Sequence, residues 1–232
     1  AKFFPTEWTL EGYRTAFEKA PIANWFINSI LITVIITLAV IVTSTLMGYV
    51  FAKYEFRFKR TLFVLLLATM MVPPQVTMIP RYLMIQKLHL FDTRGALIVP
   101  ALVSAFSVYL AKQFIADIPD SLCEAAKIDG ATGFKLDWYI TIPCIKDMIK
   151  TVVILTVTGG FMLYNEVYFL TKVAAGTTSL AYILRELSVV SSRMQYARAN
   201  VIGVVQIVGG LLLIGIINLL FKIDLSVLLR KI

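Results

Sequence analysis

The sequence has few of the side chains, and none of the short motifs, on which catalytic and metal sites depend. It contains one histidine, His89, and two cysteines, Cys123 and Cys144, which form no C-x-x-C pair. It also lacks a G-x-x-x-x-G-K-[ST] loop, an H-E-x-x-H pattern and a G-x-S-x-G pattern. We therefore expect no enzyme activity, no metal site and no cofactor on this chain, and we expect both thiols to be reduced.

Charged residues are also scarce. They make up 16% of the chain and hydrophobic residues 59%, against about 25% and about 45–50% in soluble domains. The mean hydropathy is +0.81, and several apolar runs approach the roughly 20 residues that cross a bilayer. These values predict one all-α domain over residues 1–232, a polytopic transmembrane helical bundle. In such a protein the net charge of +8 indicates contact with lipid headgroups rather than nucleic acid.

The pattern of apolar runs predicts five membrane spans. They lie at residues 25–51, 62–80, 95–114, 143–170 and 199–221. The loop after the first span is rich in basic residues, which favours the cytoplasmic side. Its basic residues are Lys53, Arg57, Lys59 and Arg60. This orientation places residues 1–24 outside the cell and the C-terminus in the cytoplasm.

Two prolines, Pro73 and Pro74, break the second predicted span near the middle of the membrane. Irregular backbone at that depth is tolerated only inside protein or beside a water-filled cavity, and broken helices often mark a substrate path. Gln75 and Thr77 follow the break and are candidates for lining such a path. A proline kink packed against protein is the alternative.

The fourth predicted span carries a similar pair of candidates, Asn165 and Glu166. An acidic residue within a span is a functional candidate by default, although a carboxylate at the outer interface is the alternative. The glycine pair 159–160 is expected to interrupt this span.

Two helix faces carry packing predictions. Small and hydroxyl residues share one face of the first span, which favours close helix packing over pore lining; they are Ser29, Thr33, Thr37, Ser44 and Gly48. Apolar residues with helical spacing predict an interfacial amphipathic helix before the last span; they are Leu180, Ile183, Leu184 and Leu187.

A polar stretch at residues 117–142, here named the elbow, separates the third and fourth predicted spans. Ser121 and Glu124 fit a capping box at the start of a helix over residues 119–129. Gly130 predicts a corner, and residues 131–138 a second short helix. Pro143 suits the first turn of the next span. A short capped helix between two spans is a surface that a partner can bind.

Three pieces of the elbow form a specific pattern, with the spacing E-A-A-x-x-D-G-A followed by I-P. They are Glu124-Ala125-Ala126, Asp129-Gly130-Ala131 and Ile142-Pro143. The pattern resembles the EAA loop of ABC importer permeases. Three further dipeptides resemble the carbohydrate, maltose-type branch of these permeases; they are Pro5-Thr6, Ile79-Pro80 and Ile118-Pro119. The resemblance covers nearly all the chain.

The resemblance implies a multi-pass subunit of the bacterial inner membrane that imports a sugar. Its expected partners are a second, homologous permease subunit, two ATPase subunits that carry ATP and Mg²⁺, and an extracytoplasmic sugar-binding protein. The coupling residues would be Glu124, Ala125, Ala126, Asp129 and Gly130. In the family the glutamate meets a basic residue of the ATPase, and the aspartate and glycine shape the turn. Glu124 can also cap its own helix, and one carboxylate can serve both purposes, but docking is the favoured role.

Two features depart from the family. Six spans are usual in this subunit, so the first is expected to be missing from this chain, which is expected to be a fragment. The usual glycine-rich C-terminal end is replaced by residues 222–232. The alternatives to an ABC permease are a secondary carrier or channel without an ATPase, or a membrane scaffold. Inverted repeats would favour the carrier, and none is evident in the sequence.

Overall fold

The fold is built from helices joined by short turns. A computed structural model describes residues 11–128, 133–171, 177–190 and 196–222, and within these ranges it contains no strand. A 3₁₀ turn at Val99–Ala101 and π-helical turns at Asp137–Thr141 and Glu186–Val190 adjoin the α-helices. The helices are α1 (Glu11–Lys19), α2 (Ile22–Lys53), α3 (Lys59–Thr69), α4 (Met78–Lys87), α5 (Arg94–Ile98), α6 (Ala105–Ala116), α7 (Asp120–Ile128), α8 (Phe134–Leu136), α9 (Ile142–Cys144), α10 (Lys146–Phe161), α11 (Asn165–Leu170), α12 (Leu180–Arg185) and α13 (Tyr196–Lys222).

Three helical stretches in the described part of the chain are long and apolar enough to cross a membrane. They are Ile22–Lys53, Arg94–Ala116 and Arg198–Lys222, which correspond to the first, third and fifth predicted spans. The second and fourth predicted spans are each divided into shorter helices, and the third consists of α5, the 3₁₀ turn and α6 in succession. The polytopic helical bundle is therefore confirmed, and among the described residues α2 and α13 are its uninterrupted spans.

The division of the second predicted span was expected, and it begins earlier than predicted. Helix α3 ends at Thr69, and turns fill the chain up to Met78, where α4 begins. Proline disfavours helical backbone in the residue before it and removes a backbone donor. The effect of Pro73 and Pro74 therefore reaches several residues back towards α3.

The fourth predicted span is divided immediately after its glycine pair, close to the predicted interruption. Helix α10 continues through Gly159 and Gly160 and ends at Phe161. A Cβ atom at Gly160 would collide with the side chain of Thr33 on α2. Gly160 therefore also allows the close packing of α10 on α2.

The central element is α2, which packs against α6 and α10. Its face of small residues is buried, as predicted for helix packing. At Gly48 a Cβ atom would meet Ala111 of α6, so the two backbones approach closely there. The main apolar core lies between these helices and includes Ile36, Val108 and Val152.

A second apolar cluster lies where α1, α12 and α13 meet the start of α2. Leu180 is fully buried there, and the other apolar residues of the predicted interfacial helix pack against Ala16, Ile22 and Ile202. That face is thus covered by the chain's own helices. The prediction of an amphipathic helix against lipid is corrected, because α1 and α13 supply the apolar surface that lipid was expected to supply.

Candidate functional site

The elbow is attached to the last residue of α2. Lys53 donates from its Nζ to the carbonyl oxygen of Ile118 at 3.1 Å and to the Oδ1 of Asp120 at 2.8 Å. The Lys53 side chain is 21% exposed and that of Asp120 is 82% exposed. One ammonium group thus fixes the end of the longest helix to the first turn of α7. We refer to this side of the bundle as the elbow end, and to the side where α2 begins as the far end.

The start of α7 differs from the predicted capping box. The helix begins at Asp120, so Ser121 lies within its first turn and does not occupy the N-cap position. The carboxylate of Asp120 in the first turn interacts favourably with the positive end of the helix dipole. The capping role predicted for Ser121 with Glu124 is therefore corrected, and the Glu124 side chain is exposed.

The outer surface of α7 is unusually apolar for exposed residues. Leu122 is 47% exposed and Ile128 is 86% exposed, while Glu124 and Ala125 are exposed beside them. Ala126 alone of the alanine pair is buried, and it faces the bundle. Asp129 and Gly130, the other predicted coupling residues, lie outside the described residues. The outer surface of α7 around Glu124 thus combines exposed apolar side chains with an exposed carboxylate.

The second arm of the elbow returns the chain to the bundle. The second short helix is present as α8, shorter than predicted, and a π-helical turn follows it at Asp137–Thr141. Thr141 donates from Oγ1 to Oδ1 of Asp137 at 3.2 Å. Pro143 lies in the first turn of α9, whereas the long helix α10 begins only at Lys146.

A cavity of about 260 Å³ lies between the elbow and the end of α2. Residues from both arms of the elbow line this cavity. The elbow and α2 are therefore not in contact along their whole length, although Lys53 links them at one side of the cavity. Both cysteines are free; Cys123 is half-buried beside this cavity and Cys144 is exposed. The lining residues are Tyr49, Lys53, Tyr54, Ile118, Asp120, Cys123, Leu136 and Thr141.

The first pair of path candidates lies on the turns between α3 and α4. Thr77 is half-buried and donates from Oγ1 to the carbonyl oxygen of Pro74 at 2.9 Å, while Gln75 is exposed. The Thr77 hydroxyl thus bonds within its own turn, and the Gln75 amide lies on the surface of the chain.

The second pair begins α11, just after the break that ends α10. Asn165 and Glu166 are both half-buried there. Helix α11 packs against α4. Two residues of α11, Val167 and Leu170, are fully buried. The fold therefore brings together the helices that follow the two breaks, which the sequence did not predict.

A buried polar network at the far end was also missed. Asn28 is 6% exposed; it donates from Nδ2 to the carbonyl oxygen of Thr178 at 3.1 Å, and its Oδ1 accepts from Nε of Arg94 at 3.0 Å. Asn28 lies 150 residues from Thr178 and 66 from Arg94 along the chain. An asparagine in the first predicted span, and an arginine next to the third, were the signals present in the sequence.

The described residues include no group of three histidine, cysteine, aspartate or glutamate side chains that could hold a metal ion.

Gln206 of α13 donates from Nε2 to the carbonyl oxygen of Phe161 at 2.8 Å. Its donor stabilises the end of α10 at the break before α11.

A family described as "binding-protein-dependent transport system inner membrane component" matches residues 44–230. This range includes the elbow and both helix breaks.

Several curated proteins are similar to the chain. The arabinooligosaccharides transport system permease protein AraQ of Halalkalibacterium halodurans is 31% identical over 66% of this chain and 55% of its own length. The sn-glycerol-3-phosphate transport system permease protein UgpE of Yersinia enterocolitica is 30% identical over 72% and 59%. The melibiose/raffinose/stachyose import permease protein MelC of Bacillus subtilis is 32% identical over 66% and 56%. The matched part of the chain thus spans little more than half of these relatives.

A solved structure shares the fold. It is a crystal structure of a bacterial ABC transporter involved in the import of the acidic polysaccharide alginate, with a TM-score of 0.77 and 21% sequence identity. The likeness covers 94% of this chain and 80% of the other.

Proposed function

Because this chain belongs to the family of binding-protein-dependent transport system inner membrane components, we propose that it is a permease subunit of an ABC importer that carries a sugar or oligosaccharide into the cell. The observation that carries the proposal is the exposed surface of α7, held to the end of α2 by Lys53. Such a surface can receive a movement from a partner and pass it directly to a membrane-spanning helix.

The partner at the elbow is an ATPase subunit. The chain has no P-loop of its own, so ATP and Mg²⁺ are bound and ATP is hydrolysed on two partner subunits. The exposed carboxylate of Glu124 pairs there with a basic residue, and Leu122 and Ile128 supply apolar contact. The small side chain of Ala125 leaves room for the partner on the exposed side of α7, while Ala126 packs against the bundle. Asp129 and Gly130 complete the proposed set of coupling residues.

A second, homologous permease subunit completes the path through the membrane. Helix α3 buries none of its residues, and its exposed side chains include Leu62, Val64 and Leu65. Most of the membrane-crossing part of α13 is likewise exposed. Apolar surface of this extent is covered by lipid or by another subunit.

The orientation follows from the basic residues at the elbow end. A cytoplasmic position for this end is favoured by its basic residues, Lys53, Arg57, Lys59 and Arg60. Residues 1–24 then lie outside, where an extracytoplasmic binding protein delivers the sugar, and the C-terminus lies in the cytoplasm.

A carbohydrate is the substrate class that the relatives favour, since two of those named above transport oligosaccharides. Sugar hydroxyl groups both donate and accept hydrogen bonds, so they bind side chains that supply donors and acceptors. Near the two helix breaks, Gln75, Thr77 and Asn165 supply both, and the carboxylate of Glu166 supplies acceptors.

Reconstitution in liposomes tests the proposal. The chain is purified with its partner ATPases and permease and supplied with ATP and a set of neutral and acidic oligosaccharides with their binding protein. We expect uptake of one saccharide class only when ATP, the ATPases and the binding protein are all present. Uptake by the chain alone would instead establish a secondary carrier or channel, and a complex that forms without any uptake would favour a scaffold.

A further inference from the structure

A second cavity, of about 460 Å³, lies at the elbow end where α3 begins. It is bordered by the end of α2, the turn after it, the first turns of α3 and one residue of α6. Its charged lining residues are Glu55, Lys59, Arg60 and Lys112, and Phe51 and Phe63 form part of its apolar wall. The proposed function assigns no ligand to this cavity.

The lining carries three cations and one carboxylate, a net charge of +2. Lys59 is neutralised locally, because its Nζ lies 2.7 Å from Oε1 of Glu55. Lys112 places its Nζ 5.2 Å from the ring centroid of Phe63, a cation–π contact that fixes the ammonium at the cavity wall. The charges of Arg60 and Lys112 therefore have no carboxylate within the cavity lining.

The first turn of α3 adds to this positive potential. Lys59 and Arg60 begin the helix, its first turn has no acidic residue, and no side chain caps it. The N-cap residue Phe58 has a φ of 66°, a left-handed conformation that is uncommon for a bulky side chain. Cations at the positive end of a helix dipole are unfavourable, whereas an anion at this position is stabilised.

The surface beyond the cavity is apolar along α3. Leu62 is 47% exposed and Leu65 is 57% exposed, and the helix buries none of its residues. A soluble phosphate would use only the cations and the helix end. The headgroup of a phospholipid would contact the same cations and helix end, as anionic headgroups do with basic residues at a membrane surface. Its acyl chains would also lie along the apolar surface of α3.

We propose that this cavity binds the headgroup of an anionic phospholipid, with Arg60 and Lys112 contacting the phosphate and the acyl chains lying along α3. The site holds a lipid in the leaflet at the elbow end, next to the helix that Lys53 joins to the elbow. Lipid composition would thereby act on the end of α2.

The test measures lipid binding directly, so its result does not depend on the transport proposed above. The purified complex in detergent is titrated with phosphatidylglycerol and, separately, with phosphatidylcholine, and bound lipid is counted by native mass spectrometry. We compare R60Q/K112Q with K150Q/K222Q, which removes the same charge from the elbow end away from the cavity. The charge-preserving pair R60K/K112R controls for loss of structure.

We expect the wild type to prefer phosphatidylglycerol, and R60Q/K112Q to bind it roughly 30-fold more weakly, the size expected for two basic residues at a membrane surface. K150Q/K222Q and R60K/K112R should keep most of the affinity. Equal loss in both glutamine pairs, or no preference in the wild type, would overturn the proposal. Displacement of the lipid by millimolar inorganic phosphate would also overturn it, since it would identify a site for soluble anions.

Discussion

Lys53 and Asp120 lie 67 residues apart along the chain, and their charged groups are 2.8 Å apart. The same ammonium group also binds the carbonyl oxygen of Ile118, so it holds the backbone before α7 as well as its first side chain. This ion pair links a membrane-crossing helix to the elbow.

We expect Lys53→Met to uncouple transport from ATP hydrolysis. The pair is partly solvent-exposed on the Asp120 side, so its loss should cost about 1 kcal/mol of stability or less. The elbow, however, would lose its attachment to α2. Sugar uptake per ATP hydrolysed in proteoliposomes should fall severalfold, while Arg14→Met, which removes another ion pair at 2.8 Å, should leave it unchanged.

Glu124→Ala should weaken binding of the ATPase subunits. The carboxylate is exposed on α7 and Ser121 does not occupy the N-cap, so the substitution should leave the helix intact. Assembly on the membrane should weaken by roughly tenfold or more, as expected for a lost charge pair at an interface. Titration of purified ATPase into membranes measures this, and an unchanged affinity would refute docking at Glu124.

The two adjacent glycines of α10 offer a matched pair of substitutions. Gly160→Ala would force a methyl group into Thr33, whereas a methyl group at Gly159 meets no atom within 4 Å. Gly160→Ala should destabilise the protein by about 1–3 kcal/mol, and Gly159→Ala should be neutral or stabilise it by up to about 1 kcal/mol. Thermal unfolding in detergent distinguishes them, and equal effects would contradict the close packing of α2 on α10.

Asn28→Leu should destabilise the far end. It would leave the carbonyl oxygen of Thr178 and the guanidinium of Arg94 without their bonds to Asn28, at a cost of about 1–3 kcal/mol. Asn218→Leu replaces an exposed asparagine and should cost much less. Chemical unfolding of both variants measures the difference, which should vanish if the Asn28 network contributes no stability.

Glu166→Gln tests the proposed path. The substitution removes a charge from the first turn of α11 and keeps a hydrogen-bonding group. If Glu166 contacts the sugar, the apparent KM for uptake should change severalfold while binding of the ATPases stays constant. Glu186→Gln, in the π-helical turn after α12, provides the control and should leave the KM unaltered.

The long membrane-crossing helices and the break after α3 could be predicted because they depend on local sequence. Apolar run length marked α2, α6 and α13, and Pro73 and Pro74 marked the break after α3. The face of small residues on α2 also followed from periodicity. Each of these features is determined by residues within a few turns of one another.

The features that were missed depend on distant residues. Nothing near Lys53 in the chain indicates Asp120, and nothing near Asn28 indicates Arg94. The packing role of Gly160 was missed because glycine permits both a helix break and a close approach of helices, and the close approach depends on Thr33 of another helix. The elbow was predicted from its own residues, whereas its attachment to α2 was not.

The uninterrupted length of α2 has a geometric consequence. Its 32 residues form a rod about 48 Å long at 1.5 Å per residue. Lys53 fixes one tip, and Asn28 is bonded near the other. A tilt of about 5° around the midpoint of such a rod would move each tip by about 2 Å in opposite directions. A small push at the elbow would therefore arrive at the opposite surface of the bundle with its direction reversed and its size preserved.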